Sequence, residues 1–256
     1  MTSTQSNSLP LWVQHRDKVL EQSTDIQWRY GKFPDYSRSN QNLAKESTHN
    51  HPQGSLEAIV QNLVRTFDVE ANFKTNPQQW ISVVNDKFRM TTNGGISYTI
   101  SDVVESGTYK LLIGNTQHYQ ASEENFETST NLFHTAFPDG FLWEVLEVFS
   151  APPTIAFKWR HWGHFRGAYK NYAPTGETIE VIGMTIARVT DDLKILSLEH
   201  YYDNTKFFEK LTASGKQETG KQEPKHPNFW SFWQNLWRWH KKPTTGQAKT
   251  SACPFS

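Results

Sequence analysis

Between Phe157 and Gly176 the chain reads FKWRHWGHFRGAYKNYAPTG, in which two histidines, two arginines and three glycines are interleaved with aromatic residues. Read as a strand up to Gly167, this run sends Phe157, Trp159, His161 and Gly163 to one face and Lys158, Arg160, Trp162 and His164 to the other. The two imidazoles leave on opposite sides. An imidazole held among aromatic walls can have its pKa tuned for proton transfer near neutrality, so His161 is a candidate acid–base group if its face lines a pocket. The spacing H-x-x-H would suit a metal on a helical turn, but a strand separates the two rings, and no metal site is expected. Arg160 is expected to pair with a carboxylate on a neighbouring strand, with an anionic ligand group as its alternative partner.

Proton transfer needs a second group. Glu144 and Glu147 lie on opposite faces of a preceding strand, Glu180 lies on a following one, and Glu199, His200, Tyr202 and Asp203 gather near the end of the last. A carboxylate enclosed by tryptophans has its pKa raised by desolvation, which makes it a useful acid. The candidate catalytic set is therefore His161, Glu180, Glu144 and His200. The expected ligand-binding walls are Phe157, Trp159, Trp143, Phe165, Thr185 and Tyr202. Gly163 and Gly167 stand without the pattern of a phosphate-cradling loop. No cofactor is expected, with one outside candidate: Cys253 precedes Pro254, and a thiolate in that setting can ligate haem.

The elements that would position these groups change character along the chain. Residues 1–51 are rich in Ser, Thr, Gln and Asn and read as an irregular arm. Ser55 is a plausible N-cap for a helix from Leu56 to Asn72, whose Leu56, Ile59, Val60, Leu63, Val64 and Phe67 form one apolar stripe. Phe88 to Thr92 and Ile96 to Thr99 read as a short hairpin around Asn93-Gly94-Gly95. Helices follow, one from Ser101 through Leu112 and another opening at Ser122 and ending at Pro138-Asp139-Gly140. From Phe141 to Tyr202 the pattern is four strands with short links, which favours an antiparallel meander. Helices first and strands second give an α+β fold, with helices across a curved, mostly antiparallel sheet and a small-molecule site in the mouth of the cone so formed.

The motif His161-x-Gly163-x-Phe165-x-Gly167, followed by Pro174-Thr175-Gly176, is similar to the signature of SnoaL-like proteins in the NTF2-like superfamily. Trp28-Arg29-Tyr30-Gly31, Pro52 to Glu57, Phe137 to Phe141, Glu144 to Val148 and Ala173 to Glu177 resemble the plant pathogen-related protein family and its microbial relatives. The resemblance implies an NTF2-like cone. It also implies a cofactor-free acid–base chemistry of the kind polyketide cyclases perform, with His161 at the signature histidine. Where those cyclases carry an aspartate after a glycine on the next strand, this chain has Gly183-Met184-Thr185, so Thr185 stands in place of the carboxylate. Two readings stay open: a ligand-transforming domain, and a non-catalytic carrier or stress-related interaction module.

Composition bounds the rest. With 26 basic and 26 acidic residues there is no net field to attract nucleic acid, and none is expected as a partner. One cysteine excludes an internal disulfide framework, and no apolar run reaches membrane-spanning length; a cytoplasmic protein is expected. The reading assigns 52–213 to the SnoaL-like domain, 214–227 to a flexible linker and 228–256 to a Trp-rich basic segment. Within that segment Asn228 to Lys242 (NFWSFWQNLWRWHKK) places four of the ten tryptophans. Docking on its own domain or a second subunit, lying in a membrane interface, and closing over the pocket are its three open roles. The expected partners are thus a small apolar or amphipathic ligand, a membrane surface and a second copy of the chain.

Overall fold

The stripe that opens the first long helix decides the architecture. In the computed structural model, which describes residues 9–216, the elements run α1 (Arg16–Glu21), α2 (Ser37–Glu46), α3 (Leu56–Phe73), β1 (Arg89–Thr92), α4 (Ile100–Ser106) and α5 (Thr108–Ile113). They continue with α6 (Phe126–Ala136), β2 (Leu142–Val148), β3 (Thr154–His164), β4 (Thr178–Val189), β5 (Ile195–Tyr202) and α7 (Thr205–Leu211). Ser55 caps α3 as expected, its Oγ accepting from Ala58 N at 3.2 Å. Val60, Leu63, Phe67 and Ala71 of α3 then bury against Val145, Phe157, Trp159 and Leu198 of the sheet. The readings of the linker beyond Lys216, of Asn228 to Lys242 and of Cys253 lie outside the described residues.

The sheet order is β1-β5-β4-β3-β2, antiparallel except that β1 runs parallel to β5. This corrects the expected hairpin: Ile96 to Thr99 meets β1 only through a bridge between Met90 and Tyr98. Asn93 shows why, since its side chain donates to Tyr202 O at 3.0 Å and accepts from Tyr202 N at 3.1 Å, continuing the ladder with β5. Together the seven helices and the open, mostly antiparallel sheet make an α+β fold.

Three further expectations change. The arm is not irregular: α2 packs on the outer face of β2 and β3, where Glu46 accepts from Trp162 Nε1 at 3.0 Å. The helix expected from Ser101 is two helices, because Thr99 and Asp102 form a capping box and Gly107, at φ +78°, separates α4 from α5. Asn125 with Thr128, rather than Ser122, caps α6. Past Tyr202 the chain turns into α7, where Phe207, Phe208 and Leu211 bury with Phe133, Phe137, Phe165 and Tyr169 in a second aromatic core.

The open edge of the sheet at β2 is covered by polar side chains. Gln61 accepts from Val145 N at 3.1 Å, His51 Nε2 donates to Val145 O at 2.7 Å, and Arg65 reaches Trp143 O at 3.5 Å. These contacts occupy the outward N–H and C=O of Val145 and the C=O of Trp143.

Candidate functional site

Register places the inner-face side chains. His161 pairs with Trp143 and Val181, Trp159 with Val145 and Gly183, and Phe157 with Thr185, which in turn pairs with His200; all therefore point towards α3. The face carrying Phe157, Trp159 and His161 is the inner one, and Arg160, Trp162 and His164 lie on the outer. His161 is fixed in two ways. Its Nδ1 lies 2.8 Å from Leu142 O, and its ring stacks on Phe141 with centroids 3.7 Å apart. A carbonyl can only accept, so Nδ1 holds the proton and Nε2 carries a lone pair with no protein partner among the described residues. Desolvation lowers the imidazole from 6.5 to about 4, so the ring is neutral at pH 7.

Trp159 divides this face. A Cβ at Gly183 would stand 2.3 Å from the indole, so the ring lies directly across the glycine backbone. Its Nε1 donates to Thr185 Oγ1 at 2.8 Å, and Thr185 Oγ1 lies 2.8 Å from His200 Nδ1. Thr185 is fully buried and has one proton to give. With Nδ1 the acceptor at hand for that buried proton, Thr185 donates to it, which puts the His200 proton on Nε2. His200 is also held neutral, burial lowering it to about 4. Its Nε2 is sealed from solvent and unpaired, as is Oγ1 of Thr92, its register partner on β1. Thr92 and Tyr202 also line a cavity of about 220 Å³ closed by Tyr98, Leu111, Leu112 and Gly114. Tyr202 Oη donates to Leu112 O at 2.6 Å, so its phenol is a wall and not a free acid.

A third group was missed by sequence reasoning. Asp68, on the polar side of α3, accepts from Tyr36 Oη at 3.4 Å and Asn72 Nδ2 at 2.8 Å, with Arg16 and Arg65 nearby. Its carboxyl is nevertheless raised, because desolvation outweighs those partners. Yet the residue keeps open surface. His134 on α6 behaves alike, exposed in part but lowered to about 4 by desolvation. Both side chains thus meet solvent while the surrounding protein disfavours their charged forms. Tyr109, whose ring is 6.4 Å from that of His134 and whose phenol is raised by burial and by Asp68, joins them. Arg65 ties the group to the His161 side through Trp143 O, and burial lowers its guanidinium to about 10. The signal available was spacing: Gln61, Arg65, Asp68 and Asn72 recur on one side of α3.

The carboxylates expected from the strands are elsewhere. Glu144 is fully buried on the outer face, accepting from Thr48 N and Oγ1 at 2.9 Å and from Arg160 Nη1 at 3.3 Å. Glu180 takes Arg160 Nε at 2.7 Å on that same face. Both anchor structure, and Arg160 makes the cross-strand pairs expected of it. Glu147 and Glu199 also face outward, opposite Lys158 and Ile186. Asp203 caps the turn into α7 by accepting from Thr205 N at 2.8 Å. Among the expected walls, Phe165 is buried in the second aromatic core and Phe157 in the main one. Trp143 is half-buried beside His161.

The signature glycines are packing glycines. A Cβ at Gly167 would lie 1.8 Å from Thr135 O, and one at Gly163 would lie 2.7 Å from the Phe137 ring. Both let the end of α6 sit on β3, where Arg166 N and Gly167 N donate to Ala136 O at 3.1 Å. Of the motif, His161 alone presents chemistry to the inner face. Among the described residues no three His, Cys, Asp or Glu side chains converge as a metal site, and no helix is long and apolar enough to cross a membrane.

Residues 99–211 match the family model of SnoaL-like polyketide cyclase. The chain is similar to the "Pathogen-related protein" of Hordeum vulgare, 36% identical over 187 residues that make up 70% of this chain and 80% of the barley protein. Among solved structures it is similar to an NTF2-like protein of Burkholderia thailandensis, with 14% identity, a TM-score of 0.34 and coverage of 58% and 94% of the two chains. It is also similar to a protein with a ketosteroid isomerase-like fold from Catenulispora acidiphila, with 12% identity, a TM-score of 0.33 and coverage of 59% and 90%.

Proposed function

This chain belongs to the pathogen-related protein family of SnoaL-like, NTF2-like domains, and within it we propose that the His161 side of the inner face binds a small amphipathic molecule bearing a hydroxyl group. The observation that carries this reading is the fixed ring of His161, whose Nδ1 is committed to Leu142 O while Nε2 is left as an inward acceptor among Phe141 and Trp143. Aromatic walls take the apolar body, and the lone pair takes the hydroxyl proton. A fluorescent aromatic alcohol, 1-naphthol, is the probe. His161→Phe keeps the stacking area and removes the acceptor together with the bond to Leu142 O, so it weakens 1-naphthol binding about tenfold while costing about 1 kcal/mol of stability. Equal affinity in both proteins, or a collapsed melting temperature without any affinity change, contradicts the reading.

A second reading, proton transfer on the bound molecule, is favoured by one observation: the raised carboxyl of Asp68 beside Arg65. Here the base comes from a helix and not from the strand position that Thr185 occupies. Exchange of the α-protons of 2-tetralone in deuterated buffer is the assay. Acceleration by the wild type that disappears in Asp68→Asn supports this reading, and no acceleration removes it.

A further inference from the structure

We propose that the Thr92–His200 pair forms a second binding site, separate from the His161 side, in which two buried donors receive the carbonyl oxygen of a small neutral molecule that enters through the cavity at Tyr98, Leu112 and Tyr202. A relay of two hydrogen bonds leads to the site. Indole Nε1 donates to Thr185 Oγ1 over 2.8 Å, and the buried Thr185 hydroxyl, whose other partner is His200 Nδ1 over 2.8 Å, uses its own proton by donating there, which makes the outer nitrogen Nε2 the donor. That donor has no solvent contact and no partner. Thr92 Oγ1, on the neighbouring strand at the same register and on the same face, is in the same condition. A buried polar group without a partner is costly, so the coincidence of two at one register position calls for a shared partner.

Register sets the two side chains side by side on one face, and one oxygen accepting from both is the partner proposed. Paired strands lie about 4.8 Å apart, and an oxygen accepting from both sides at about 2.8 Å spans up to about 5.6 Å. Two donors meeting on one oxygen select a carbonyl over an amine, which would bring protons of its own. The cavity of about 220 Å³ is lined by Thr92 but not by His200, and its other walls include Asn93, Ile96, Tyr98, Leu112, Tyr202 and Asn204. The volume is below the roughly 300 Å³ at which drug-sized pockets begin, so the occupant is small. There is no charged side chain in that lining, which favours a neutral molecule. A neutral imidazole donor polarises a carbonyl without a formal charge, a role that suits ligand selection and, given a base, enolisation.

Cyclopentanone is the probe, cyclopentane its partner without an acceptor, and the full chain labelled with nitrogen-15 histidine the target. The expected result is a His200 Nε2–H resonance that moves and saturates with cyclopentanone and stays still with cyclopentane. Thr92→Val, nearly isosteric, weakens that binding about tenfold. A signal unmoved by cyclopentanone up to its solubility overturns the proposal, as do equal responses to ketone and hydrocarbon. The first outcome means that ordered water already satisfies both groups, and the second that the cavity reads shape alone. Should Thr92→Val fail to fold, the wild-type response to the two probes decides the question by itself.

Discussion

His161 and His200 sit on the same face of the same sheet, both neutral at pH 7, yet they present opposite chemistry. On one side of Trp159 the backbone carbonyl of Leu142 takes the proton of Nδ1 and leaves an acceptor at Nε2. On the other side Thr185 gives its proton to Nδ1 and leaves a donor. The pKa values do not distinguish the two rings, since burial lowers each to about 4. What separates them is a single partner atom each, and the indole of Trp159, which occupies the space between and is part of one relay only. One residue type thus supplies both halves of a hydrogen-bonding vocabulary, with the tautomer set by the neighbour.

Removing the divider has the largest expected effect. Gly183→Ala puts a Cβ 2.3 Å from the indole, so Trp159 has to leave Thr185. The expected loss is about 4 kcal/mol in urea denaturation, the sum of overpacking and of a broken buried hydrogen bond. A loss under about 1 kcal/mol would mean that the ring is not a fixed wall.

Acid acts on both rings. A histidine whose folded pKa is about 4 against 6.5 unfolded gives no penalty above pH 6.5 and destabilises the fold as pH falls from 6.5 towards 4, because only the unfolded chain takes the proton. Each ring contributes up to roughly 3 kcal/mol across that window. Urea midpoints at pH 7.5, 6 and 4.5 should fall steeply, and His161→Phe and His200→Phe should each flatten the profile. An unchanged slope in either variant removes that ring from the comparison.

The relay itself is tested by Thr185→Val, which strands Trp159 Nε1 and His200 Nδ1 and costs about 2 kcal/mol. Its His161 signals stay in place, because the Leu142 contact is untouched. Movement at both histidines would show that the two sides are one unit. The smallest effect is expected on the outer face: Glu180→Gln loosens one partly exposed ion pair with Arg160 and changes stability by less than about 1 kcal/mol, with no effect on either imidazole.

Much of this was legible in the sequence, for identifiable reasons. Alternation along β3 separated His161 from His164 and Arg160 correctly, because a period of two leaves no choice once the strand is granted. The apolar stripe and Ser55 cap of α3 were equally plain. The strand glutamates misled, because a buried carboxylate reads alike whether it faces a pocket or, as Glu144 does, holds Thr48 and His49 of the arm. Asp68 stayed hidden because it belongs to a helix whose apolar side explained the pattern, and its partners Tyr36 and Tyr109 are 32 and 41 positions away in the chain (68 − 36 and 109 − 68). The parallel pairing of β1 with β5 rests on Asn93 reaching Tyr202, a contact no local pattern announces. The signature glycines were visible, but their cause, the end of α6 lying on β3, is a tertiary fact.

Opposed tautomers on the two sides of Trp159 can be read in one experiment: a long-range proton–nitrogen correlation spectrum of histidine-labelled protein at pH 7. The structure predicts His161 with its proton on Nδ1 and His200 with its proton on Nε2. The same tautomer at both rings, or a protonated imidazolium at either, would contradict it.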